Sequence, residues 1–106
     1  MLMDNAEITI GSHVLIGPNV SLYTVNNAIN PEERAQGICV AKSIHIEDNV
    51  WLSGDVQITS GVTIGEGSII GAGSVVTKDI PPRVIAAGNP CRVIRPITDN
   101  DRHCTP

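Results

Sequence analysis

The chain has 106 residues, a formal net charge of −4 and 42% hydrophobic residues, with one Trp, one Tyr and no Phe. That length fits one domain, the acidic balance gives no basis for nucleic-acid binding, and no apolar run is long enough to cross a membrane as a helix. Cys39, Cys91 and Cys104 lack CxxC spacing, and His13, His45 and His103 lack ligand spacing. No metal site, disulfide framework or signal peptide is therefore expected, and reduced thiols in the cytoplasm are.

In chain order, an aliphatic residue recurs at every sixth position, at Ile10, Ile16 and Leu22. After a break it returns at Ile46, Leu52, Ile58, Ile64, Ile70 and Val76. Gly11, Gly17, Gly65 and Gly71 follow it directly, and Val14, Val20, Val50, Val56, Val62, Ser68 and Ser74 stand four places on. Two inward positions per hexad is strand alternation interrupted by a turn. A period of this kind predicts an all-β fold, a parallel β-helix. Three hexads close one triangular coil, and coils stack about 4.7–4.9 Å apart, so Ile46 lies under Ile64. The glycines are expected to supply backbone angles that other residues resist. A narrow prism also leaves little room for aromatic rings, and β-branched residues suit its strands. An antiparallel sandwich would not keep its phase across the break, and Gly with β-branched residues argues against helix. The prism is expected over residues 1–80, in about three coils. A solenoid this short exposes both end coils, which predicts self-association.

Residues 25–42, VNNAINPEERAQGICVAK, abandon the pattern, with Asn26, Asn27, Asn30 and Pro31 marking turns. Removing them joins Leu22-Tyr23-Thr24 to Ser43-Ile44-His45 in phase. The segment is thus a loop extruded from a prism corner, a common location for function. Beyond residue 77, Pro81-Pro82 is expected to stop the coil. Val84-Ile85 and Val93-Ile94 read as strands around a turn at Gly88-Asn89-Pro90, within a tail over 81–106 that packs on the prism. Residues 99–106 are polar and expected to fray. Residues 1–77 hold two basic and eight acidic residues, whereas 78–106 hold five basic and three acidic. That contrast suits the tail to an anionic ligand.

The segment NVWLSG, with GVTIGEGSIIGAGSVVTKDIPPRVIAAGNPCRVI beyond it, resembles the C-terminal half of the galactoside and maltose O-acetyltransferases. These are hexapeptide-repeat acyltransferases. The likeness runs from about Asp4 to Arg102, and VTKDIPP with GNPCRVI is its specific part. The resemblance implies a left-handed coil, an exception to right-handed crossovers. It also implies a homotrimer with acetyl-CoA between adjacent prisms, and acetyl transfer to a hydroxyl of a sugar or similar small acceptor. Unpaired edges from Asn5 to Ile10, if residues 1–3 or the tail do not cover them, would pair trimers into hexamers.

In that family a loop histidine acts as general base, a role its pKa suits. Ungapped alignment puts Asn27 at its position, and an amide can only hydrogen-bond. Weak catalysis is expected, with outward-pointing His45 as a conceivable substitute. Family members carry further coils before the point where this chain begins, and these help to form the acceptor site. Asn5 stands at an acceptor-binding acidic position and Leu15 lies near that pocket. On the cofactor side, Trp51 matches a cleft-lining Trp, and Gly54 a backbone donor near the thioester. Ala72 matches a small residue against the pantetheine arm, and Thr77 and Lys78 match contacts at the end of the repeat. Arg92 and Arg95 are candidates for the CoA phosphates, since their forks match phosphate geometry. The competing expectation is a non-catalytic trimeric assembly module or a truncated remnant.

Overall fold

The computed structural model describes residues 6–105. Strands β1 (Ile8–Ile10), β2 (Leu15–Ile16) and β3 (Ser21–Leu22) make the first coil. A hairpin then leaves the prism: β4 (Val25–Asn27), helix α1 (Pro31–Ala35) and β5 (Cys39–Ala41). The second coil is β6 (Ile44–Ile46), β7 (Trp51–Leu52) and β8 (Gln57–Ile58). The third is β9 (Thr63–Ile64), β10 (Ile69–Ile70) and β11 (Val75–Val76). β12 (Val84–Gly88) and β13 (Cys91–Pro96) follow.

The strands assemble into the faces of a left-handed parallel β-helix. Face one is β1-β6-β9, face two contains β2-β7-β10, and face three is β3-β8-β11. Ile10 pairs with Ile46, 36 residues on, whereas Ile46 pairs with Ile64, only 18 on. The difference is the length of the extruded segment, so the excursion leaves the phase intact. Ile46, Leu52, Ile58, Ile64, Ile70 and Val76 fill the interior with Val50, Val56 and Val62, all buried. The stacked aliphatic ladder expected from the repeat is therefore present.

The corners correct the expectation placed on the glycines. Left-handed backbone falls three residues after seven of the nine repeat aliphatic positions, at His13, Asn19, Asn49, Asp55, Gly61, Gly67 and Gly73. Asn and Asp tolerate this region better than most residues, and Gly adopts it freely. Gly11, Gly17, Gly65 and Gly71 have no positive φ. They are constrained by close approach instead. A Cβ on Gly17 would lie 2.7 Å from the Gly54 nitrogen, and one on Gly71 would lie 2.9 Å from the Ala87 Cβ.

Pro81-Pro82 turns a corner rather than ending the stack. Ile80 bridges to Ile64, and β12 pairs in parallel with β10 through Ile69–Ile85 and Ile70–Ala86. β13 then returns antiparallel to β12, around the turn read at Gly88-Asn89-Pro90. Two buried serines fasten this partial coil. Ser68 Oγ donates to the Pro81 carbonyl at 2.7 Å and accepts from the Val84 N–H at 3.1 Å. Ser74 Oγ donates to the Gly71 carbonyl at 2.6 Å and accepts from the Gly88 N–H at 3.1 Å. The chain end does not simply fray. Asp99–Asp101 form a 3-10 turn, and Asp101 pairs with Arg95.

Candidate functional site

The hairpin is built by local chemistry. Pro31 opens α1, where a missing N–H costs nothing, and the Asn30 Oδ1 accepts the Glu33 N–H at 3.0 Å as an N-cap. Arg34 donates to the carbonyls of Ala28 and Ile29 at 3.2 and 3.1 Å, closing the hairpin tip. The Asn26 Nδ2 donates to the Ser60 Oγ at 2.7 Å, tying the hairpin to the second coil. Between hairpin and prism lies a cavity of about 860 Å³, lined by Asn26, Asn27, Asn30, Glu33, Lys42 and Ser60 with apolar Ile29, Ile38 and Val40. Asn27 thus faces a space large enough for a small polar molecule.

The candidate cofactor residues separate into three places. Thr77, Lys78 and Arg92 come together with Pro90 and Cys91 around a smaller cavity of about 130 Å³. Since Ile58 pairs with Val76, Thr77 and Lys78 sit one coil above Thr59 and Ser60. Ser60 lines the Asn27 cavity, so both cavities lie along one edge of the prism. Lys78 and Arg92 form no ion pair among the described residues. Burial pushes the Cys91 thiol pKa up, against a smaller opposing effect of the Ser74 hydrogen bond, so it is no thiolate nucleophile.

Gly54 and Ala72 occupy the next edge, each two residues beyond the paired Leu52 and Ile70. The Gly73 N–H donates to the Gly54 carbonyl at 3.0 Å, so this edge is closely stacked and carries little side chain. Leu15, Trp51, Ile69, Ile85 and Arg95 align in register across face two. Leu15 is 64% exposed there. This places Arg95 apart from Arg92, and Arg95 is ion-paired. Its guanidinium grips Asp101 with two bonds of 2.8 and 3.0 Å. That pair raises the Arg95 pKa and lowers the Asp101 pKa to about 2. His45 lies on face one with its Nδ1 2.6 Å from the Thr9 Oγ1, and it does not line the Asn27 cavity. Asn5 lies outside the described residues.

Sequence reasoning did not single out Glu33, Lys42, Ser60 or Asp101. The 18-residue period would have placed Ser60 beneath Lys78. Nothing local marks Asp101 as the partner of Arg95. Among the described residues, no group of three His, Cys, Asp or Glu side chains could hold a metal, and no helix is long and apolar enough to cross a membrane.

A repeat-built prism with an edge-borne loop defines the class: hexapeptide-repeat transferases. The family described as "Bacterial transferase hexapeptide (six repeats)" matches residues 43–78. Galactoside O-acetyltransferase of Escherichia coli is 52% identical over 102 residues, covering 96% of this chain and 50% of that protein. A galactoside acetyltransferase solved in complex with coenzyme A superposes with a TM-score of 0.88 at 54% identity, covering 90% of this chain and 48% of that one. A hexapeptide-repeat acetyltransferase of Vibrio cholerae, solved with acetyl-coenzyme A, gives 0.84 at 44% identity, covering 87% and 50%. The chain belongs to the galactoside and maltose O-acetyltransferase family of hexapeptide-repeat acyltransferases. It spans about half the length of the curated relatives it matches.

Proposed function

We propose that the chain carries the donor edge and acceptor loop of an acetyl-CoA-dependent acetyltransferase, acting on a hydroxyl of a sugar or similar small acceptor. The observation that carries this reading is the shared edge, with Thr77, Lys78 and Arg92 around one cavity and Asn27 in the next. The cations Lys78 and Arg92 are available to CoA phosphates. The bare edge at Gly54 and Ala72 admits a thin chain such as pantetheine. CoA supplies the activated acetyl group. Asn27 orients the acceptor hydroxyl but cannot take its proton, and loss of a general base typically costs about 10²–10⁴-fold. Trp51 and Arg95 on face two would meet the cofactor or a neighbouring prism.

The same reading includes a homotrimer. Face two presents Leu15, Trp51, Ile69 and Ile85 outward. The other faces present Thr9, His45 and Thr63, or Ser21, Gln57 and Val75. The apolar column is the natural contact between copies. The free cysteines, one buried, one half-buried and one exposed, suit the reducing cytoplasm.

Calorimetry with CoA tests the donor site, with Trp51 fluorescence as a second readout. Saturable binding at one site per chain is expected, and Lys78→Ala or Arg92→Ala should each weaken it about tenfold, the scale of a charge-assisted bond. No binding at millimolar CoA rejects the reading. Light scattering should report a trimer, and a monomer at all concentrations rejects the assembly.

A further inference from the structure

The hairpin brings a carboxylate to the cavity that Asn27 lines. Ile38 ties the two residues together. Its N–H donates to the Glu33 carbonyl at 3.0 Å, and its carbonyl accepts the Ala28 N–H at 3.2 Å. Cys39, the next residue, pairs with Asn27 across the strands. Glu33 and Asn27 are therefore fixed within one hydrogen-bonded unit, and both line the loop cavity. Glu33 stands three residues after the cap Asn30, where a glutamate commonly reaches back to the cap N–H. Here only half of that exchange is made. Asn30 accepts the Glu33 N–H, but among the described residues the Glu33 carboxylate has neither a hydrogen-bond donor nor an ion pair. The adjacent cation, Arg34, bonds the carbonyls of Ala28 and Ile29 instead. Lys42 lines the same cavity with its stem over Gly61, and its ammonium offers donors but no acceptor. The amides and Ser60 hydrogen-bond without taking up a proton. Among the described lining residues, Glu33 is thus the group able to take a proton from an alcohol.

We propose that Glu33 is the catalytic base of this site, taking the part that Asn27 cannot. This assignment rests on the acetyl-CoA-dependent reading above, with its hydroxyl acceptor, and names the residue that moves the proton. An alcohol attacking a thioester must lose its proton as the C–O bond forms, which calls for a base within reach of the reacting oxygen. The Asn27 Nδ2 donates to that oxygen and orients it. The Glu33 carboxylate accepts the hydroxyl proton as the oxygen attacks the acetyl carbonyl carbon. The C–O bond forms and the thioester C–S bond breaks. Glu33 then gives its proton to the departing thiolate, which regenerates the carboxylate. The products are an acetyl ester and the CoA thiol, with no redox partner required. The base is thus supplied by α1 rather than by β4.

The test gives galactose and acetyl-CoA to the purified chain, with thiol release and ester mass as readouts. Glu33→Gln keeps the shape and removes the base. Its kcat should fall about 100-fold, the low end of what a general base contributes, with CoA binding by calorimetry unchanged. Glu32→Gln, on the same helical turn but outside the cavity lining, should leave the rate unchanged. Asn27→His puts an imidazole at the neighbouring position, so adding Glu33→Gln to it should cost little. That double variant also shows that a chain carrying Glu33→Gln folds. Formate should restore turnover to Glu33→Ala as its concentration rises, a response that a structural role would not produce. Equal kcat for the chain and Glu33→Gln overturns the assignment and leaves the acetyl-CoA reading standing. A loss that persists beside Asn27→His and ignores formate also overturns it, because Glu33 then acts through structure. Bound CoA without transfer to galactose overturns the base alone. Absence of CoA binding overturns both.

Discussion

The two ends of the prism are built differently. At the upper end, Ile80 and β12 cover the third coil, and inward Ser68 and Ser74 replace the valines found below them. Those hydroxyls satisfy the Val84 and Gly88 N–H groups, which lie where the regular coil stops. At the lower end, β1, β2 and β3 each pair on one side only. Their inward residues remain aliphatic, with Ile8 45% exposed and Ile10 and Ile16 each 47% exposed. Where a coil is incomplete, inward hydroxyls supply the partners that its buried backbone groups would otherwise lack. In the described residues the upper end makes that switch and the first coil does not.

The largest effect should come from the middle coil. Leu52 is fully buried, and Leu52→Ala should cost ~2–5 kcal/mol in urea unfolding. Ile10→Ala, the same kind of truncation at the open end, should cost about 1 kcal/mol or less. Equal costs would mean that the open end is covered in solution, and the contrast between the ends would fail.

Capping of the upper end can be undone directly. Ser68→Val restores the residue type that stands below it at Val50 and Val14. It also strands the Pro81 carbonyl and the Val84 N–H, each worth about 1–3 kcal/mol when buried without a partner. The expected outcome is loss of stability together with faster hydrogen exchange at Val84. A stabilising Ser68→Val would show that the serine is a packing residue only.

How legible this was follows from the repeat. Spacing alone located the faces, the interior and the excursion at 25–42, because a period-six pattern leaves few ways to bury its aliphatic residues. It misassigned the cause of the glycines, since φ and inter-coil clearance both select Gly and a sequence does not separate them. The clue was there: His13, Asn19, Asn49, Asp55, Gly61, Gly67 and Gly73 share one hexad position and types that tolerate left-handed backbone. Pro81-Pro82 predicts a stop because proline ends strands in general, yet here it turns a corner of the stack. The candidate site was half legible. Motif likeness named Thr77, Lys78 and Arg92, which share a cavity. The Arg95–Asp101 pair depends on how the tail folds back, and no period encodes that.

Two neighbouring glycines sharpen this distinction at a smaller scale. A Cβ at Gly65 would press into the backbone of Pro81-Pro82, which cannot yield. One at Gly67 would meet only the Arg83 side chain at 3.4 Å, but at a φ of +74°. Gly67→Ala should cost about 1–2 kcal/mol, the penalty for a left-handed L-residue. Gly65→Ala should cost more and loosen the cap, visible as faster exchange at the Gly65 N–H, which bonds the Ile80 carbonyl at 2.8 Å. The reverse order would show that the cap is pliable.

The smallest effect belongs to the tail. Arg95 holds the Asp101 carboxyl at a pKa of about 2, chiefly by hydrogen bonding, with the Thr98 N–H assisting, against an ordinary value of 3.8. A carboxylate whose pKa falls on folding stabilises the folded state above its unfolded pKa, and that contribution disappears as pH drops through the folded value. The tail should therefore stay docked at neutral pH and loosen between about pH 4 and pH 2, with little change in global unfolding because the pair is open to solvent on its Arg95 side and screened. Asp101→Asn should reproduce the loosened tail at pH 7, read as faster exchange at the Thr98 N–H, which donates to Asp101 at 2.9 Å. If that N–H exchanges equally fast in both proteins, something other than the ion pair fastens the tail, and the upper end of the prism owes its order to the buried serines alone.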